Sequence, residues 1–93
     1  MMEQLFEHEV FGKIAHEPVL KHRHVEAFYE NLRGQALDEH SSVYSDGAIV
    51  KIACDVGVIT QQIDVPESDP ALINWLALQV VTYVNQARQL PKN

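Results

Sequence analysis

Apolar residues recur at helical spacing most clearly between Asp69 and Leu90, in the run DPALINWLALQVVTYVNQARQL. Projected onto a helix, Leu72, Ile73, Leu76, Ala77, Val80, Tyr83, Val84 and Ala87 share one side. Asp69 suits the N-cap, and Pro70 suits the first helical position, where its missing N–H and fixed φ cost nothing. The pattern therefore predicts a helix over Pro70–Leu90 with a core-facing stripe. A second helical pattern spans Pro18–Arg33. Val25, Phe28, Tyr29, Leu32 and then Ala36 form its stripe, and Arg23, Glu26, Glu30 and Arg33 lie opposite. His22 and Glu26 are four apart, while Arg23–Glu26 and Glu30–Arg33 are three apart, spacings worth about 0.2 to 0.5 kcal/mol each on an exposed helix. Gly34 is the expected stop, and the unpatterned QALDEHSS reads as a loop.

The segment SDGAIVKIACDVGVI, Ser45 to Ile59, satisfies two templates. Asp46-Gly47 is a hairpin-turn dipeptide, and the β-branched residues that follow favour strands. Against this, Ile49, Ile52, Ala53 and Val56 form a helical stripe, with Ser45 or Asp46 as cap and Gly57 as stop. The helix, Ser45–Val56, is the preferred reading. Residues Thr60 to Ser68 then form an acidic connector. Before Pro18, the apolar residues Leu5, Phe6, Val10, Phe11 and Ile14 fit neither period, so residues 1–17 stay unassigned. The fold class expected is mainly α, a small bundle of about three helices in one domain over 1–93. The alternative is α+β with a central hairpin around residues 43–60.

The side of the last helix opposite its core stripe changes this picture. It carries Asn74, Gln79, Thr82, Asn85, Gln86 and Gln89, with Trp75, Leu78 and Val81 among them, and Arg88 is the only charge after Asp69 within the segment Asp69–Leu90. A freely solvated face usually holds more charge, so this face is expected to lie against protein, either the rest of the chain or a second copy. Trp75 and Leu78 are the candidate interface residues, because large aromatics anchor contacts.

Composition is that of a folded domain, 46% hydrophobic and 22% charged. The uncharged run Pro70–Ala87 contains Asn, Gln and Thr and reads as a core helix, so no membrane span or membrane partner is expected. Without a signal-like start, cytoplasmic residence is the expectation. Seven basic against thirteen acidic residues give a net charge of −6, which opposes direct binding to nucleic acid. Lys21, His22, Arg23 and His24 form the one basic cluster, and Lys21 and Arg23 are candidates for contact with an acidic protein surface.

Chemistry is poorly supported. His8-Glu9 and His16-Glu17 each begin like a zinc-protease helix, but Gly12 and Leu20 stand where the second histidine belongs. His22 and His24 point to different sides of a helix, so solvated positions are expected for these histidines and no metal or other cofactor. Cys54 is the only cysteine and sits among apolar neighbours as a buried thiol. Ser41, Ser42 and Ser45 near His40 are ordinary turn composition. No enzymatic activity is expected.

The runs LKHRHVEAFYENL and YSDGAIVKIACDVGVI, with a closing amphipathic helix ending in QLPKN, resemble small proteins encoded among the tail genes of long-tailed bacteriophages, the tail assembly chaperone-like group. That resemblance covers about two thirds of the chain and supplies no motif residue to carry over. It implies a mainly helical, self-associating protein that binds tail components during assembly, in the host cytoplasm. A different expectation follows from the acidic middle of the chain: a small phage-encoded inhibitor that occupies a basic channel of a host defence complex.

Overall fold

A computed structural model describes residues 5–38 and 45–89, with side chains over 5–34 and 45–88. Among these residues the fold is mainly helical, three helices preceded by a small antiparallel hairpin. The strands β1 (Glu7–His8) and β2 (Gly12–Lys13) are followed by α1 (His22–Asp38), α2 (Asp46–Val56) and α3 (Pro70–Gln89). A single 3-10 turn, Val65–Glu67, lies in the connector before α3.

The middle segment is a helix, and its ends show why. Ser45 Oγ accepts from the Ala48 N–H at 3.2 Å, satisfying a donor that a hairpin would have spent on a neighbouring strand. At the other end Gly57 takes φ 91°, and its N–H and that of Val58 return to the last carbonyls of the helix. Asp46-Gly47 is thus the first turn of α2. At Gly47 a Cβ would stand 3.1 Å from the Val65 side chain, a tight approach that Val65 would have to yield to. The central-hairpin alternative is not the fold over residues 45–59, and its first positions, 43 and 44, lie outside the described residues.

Helix α3 starts as expected, with Asp69 Oδ1 accepting from the Ala71 N–H at 2.9 Å. Its last expected residue, Leu90, lies outside the described residues. Ile73, Leu76, Ala77, Val80 and Val84 are buried against Ile49, Val50, Ile52 and Ala53 of α2 and against Phe28 and Leu32 of α1. At about 25 cal/mol per Å2, this shared apolar surface is the main stabilising contribution.

The extent of α1 corrects the expectation at both ends. It begins at His22 and not Pro18, because His24 Nδ1 accepts the Lys21 N–H at 3.0 Å while the Lys21 carbonyl accepts the His24 N–H at 2.9 Å. This reciprocal pair is the logic of a capping box, with an imidazole in the place of Glu or Gln. At the far end the helix runs through Gly34 to Asp38, so QALD is helical, and Glu39 to Ser42 lie outside the described residues. Gly34 keeps a negative φ, and with Gln, Ala and Leu behind it nothing forces a stop. Of the three charge pairs, His22–Glu26 closes at 3.5 Å, and it is too exposed to contribute much.

The segment that had no period is a strap. Phe6 is 1% exposed at φ 66°, a left-handed conformation unusual for a large side chain, and its ring stacks on His16 and meets the edge of Tyr83. The Phe6 N–H donates to Gln79 Oε1 at 3.0 Å. Residues 15–17 then run beside 58–60, through Glu17 N–H to the Val58 carbonyl and Thr60 N–H to the Ala15 carbonyl. Tyr83 clamps the far end, its hydroxyl donating to the Glu17 carbonyl at 2.6 Å.

Candidate protein-contact surface

The four residues proposed for contact fall on two elements. Lys21 and Arg23 are exposed at the start of α1, where the Lys21 backbone forms the cap. Trp75 and Leu78 are on successive turns of α3 with different surroundings. Trp75 is half-buried under the hairpin, its ring 5.0 Å from His8 and 6.1 Å from Phe11. Leu78 is 60% exposed, and Val81, one turn on, is 36% exposed.

Each polar residue around them has a definite position. His8 Nδ1 accepts the N–H groups of Val10 and Phe11 and so shapes the hairpin tip that covers Trp75. Gln79 is spent on Phe6, as described. Asn74 Nδ2 donates to Asp46 Oδ2 at 2.8 Å, tying α3 to the start of α2. Asn85 Oδ1 accepts from the Tyr29 hydroxyl of α1 at 2.9 Å, and Arg88 lies over the same Tyr29 ring, 5.0 Å from its centroid.

The uncharged face therefore divides. Its Trp75 and Gln79 side belongs to the strap, and what is left open is a stripe on which Ala71, Asn74, Leu78, Val81, Thr82 and Arg88 are exposed and Asn85 half-buried. Leu78 and Val81 bounded by the amides of Asn74 and Asn85, with Ala71 beyond them at one end and charge only at the other, suit a desolvated protein contact. Sequence pattern alone exposed this face but could not say that the hairpin takes Trp75. Val10, 77% exposed at the hairpin tip, was missed, because a two-residue strand carries no readable period.

The remaining groups with chemical potential lie elsewhere. Cys54 is half-buried and not enclosed; burial pushes its thiol up, the Ile63 backbone opposes this, and the Asp55 carboxylate adds to it. A thiol held protonated is a poor nucleophile. His24, expected in solvent, is instead 7% exposed, with its ring against Gly57. Among the described residues no three His, Cys, Asp or Glu side chains cluster to hold a metal ion, and no helix is long and apolar enough to cross a membrane. The Ser41, Ser42 and His40 group lies outside the described residues. A cleft of about 530 Å3 opens between the first turns of α2 and the connector at Gln62–Pro66, with Lys51, Gln62 and Asp64 as its polar lining. Comparison of the chain with protein-family models, with curated proteins and with solved structures finds no match.

Proposed function

We propose that this protein acts by protein contact, with no reaction of its own, and that it associates with itself through the open stripe of α3. The observation that carries this reading is the exposure of Leu78 and Val81 in the middle of a face without charge from Ala71 to Ala87. Solvent gives such a face no reason to lack charge, whereas a contact that must be desolvated does. The bacteriophage resemblance supports tail assembly in the host cytoplasm as the setting of this activity, with tail components as further partners. Sedimentation at micromolar concentration tests the first part: an oligomer is expected, and Leu78→Glu is expected to reduce it to monomer with an unchanged helix spectrum. A monomeric parent chain overturns self-association. Co-purification with tail proteins tests the second part.

A second reading has its own observation. Asp55, Asp64, Glu67 and Asp69 are all exposed, and carboxylates open to solvent are of the kind that a basic channel of a host defence complex would attract. Competition with nucleic acid for such a complex would favour it over assembly.

A further inference from the structure

The open stripe of α3 has an internal symmetry that selects one mode of pairing. Ala71, Asn74, Leu78, Val81, Asn85 and Arg88 follow one another at alternating steps of three and four residues, the spacing of a helix–helix seam. Read from either end, the stripe pairs Ala71 with Arg88, Asn74 with Asn85, and Leu78 with Val81, all about one point between Gln79 and Val80. A two-fold contact is self-complementary in this sense: residue i meets j and j meets i.

The two amides fix the direction. Asn74 gives one N–H to Asp46, which leaves its Oδ1 wholly free as an acceptor, and Asn85 Oδ1 accepts from Tyr29, which leaves its NH2 group wholly free as a donor. Among the described residues neither remaining half makes a bond. In an antiparallel pair the free donor of each Asn85 faces the free acceptor of the partner's Asn74. In a parallel pair each amide meets its own copy. The wholly free acceptor of one Asn74 then faces another acceptor and the wholly free donor of one Asn85 another donor, which leaves only the already engaged halves to bond across. Charge agrees with the amides. The start of α3 carries Asp69 and, through Asn74, Asp46, whereas its end carries Arg88. Antiparallel packing brings each Arg88 to the partner's acidic end and sets the helix dipoles head to tail.

From this we infer that α3 pairs with α3 of a second copy, antiparallel, with Leu78 against the partner's Val81 and the Asn74–Asn85 amides closing both flanks. The inference rests on the self-association proposed above and adds its direction and register. Ala71, Asn74, Leu78, Val81 and Arg88 are exposed in the single chain, so pairing through them asks for no change in the monomer fold.

Disulfide trapping in the full chain, with Cys54→Ala throughout, reads the direction. Two copies of Ala71 lie about 25 Å apart along an antiparallel pair, from 1.5 Å per residue, but side by side in a parallel one. Ala71→Cys alone is expected to give no cross-link, and a mixture of Ala71→Cys with Arg88→Cys a linked dimer. Both sites are exposed at helix ends, so both variants should fold, and helix spectra verify this. Asn85→Leu removes the free donor without adding charge, and Tyr29→Phe serves as the control for the intrachain bond lost with it. Asn85→Leu is expected to weaken association on the order of tenfold and Tyr29→Phe to leave it unchanged. A parent chain that sediments as a monomer removes self-association itself. A dimer that links through Ala71→Cys alone, or that ignores Asn85→Leu, leaves self-association standing and overturns this register.

Discussion

Replacing His24 tests whether an imidazole holds the start of α1. Its Nδ1 accepts the Lys21 N–H, and its ring lies against the left-handed Gly57 that ends α2, so one side chain joins the beginning of one helix to the end of another. His24→Ala removes a cap bond, worth about 1 kcal/mol, and leaves a gap where a buried ring had packed. Together these amount to about 1 to 3 kcal/mol, and for a domain of this size each kcal/mol lowers the melting temperature by about 4 to 8 °C. His24→Gln separates the two contributions. Glutamine at this position reaches back to the cap N–H as in a capping box, so it restores the bond without the ring. Urea melts of parent, His24→Gln and His24→Ala should rank in that order. Equal stability of the Gln and Ala variants would show that the bond to Lys21 contributes nothing. A His24→Ala chain within about 0.5 kcal/mol of the parent would behave like a surface substitution and refute the whole assignment.

Leu76 is fully buried at the centre of the α3 stripe, and Leu76→Ala is expected to cost about 2 to 5 kcal/mol in the same melts, more than His24→Ala; a smaller loss would mean that the core lies elsewhere. Tyr83 should make the strap sensitive to alkali. Burial, and then the Glu17 charge, raise its hydroxyl above the usual tyrosine range, so the folded chain holds this proton more tightly than the unfolded chain. That stability is present below the ordinary tyrosine pKa and is lost as pH rises through the raised value, where a phenolate no longer donates to the Glu17 and Pro18 carbonyls. Stability against pH for parent and Tyr83→Phe should converge in that range, and parallel curves would exclude the link.

What was legible in the sequence was local. Ser45, Gly57, Asp69 and Pro70 act on the backbone within a few residues of themselves, so the ends of α2 and the start of α3 could be placed from their chemistry. Gly34 misled because a glycine permits a stop without compelling one, and only the surrounding helix formers decide. The strap was illegible for a different reason. Phe6 bonds to Gln79 and Ala15 to Gln61, partners 73 and 46 residues away, and no window along the chain contains both members. The same holds for the contact surface. An uncharged face was visible in the spacing, but its division into a covered side at Trp75 and an open side at Leu78 depends on where residues 5–17 come to rest.

Those distant partners also impose an order on synthesis. The strap is made before the groups of the later chain that hold it, Val58, Gln61, Gln79 and Tyr83. A nascent chain, which emerges from its amino-terminal end, can form α1 and α2 early, while Phe6 has nowhere to go until α3 has appeared. Closing so long a loop is the slow step that non-local contacts require. The strap is therefore seated after the helices that hold it, although it is made before them, and the Phe6 ring has no core to enter until α3 is complete.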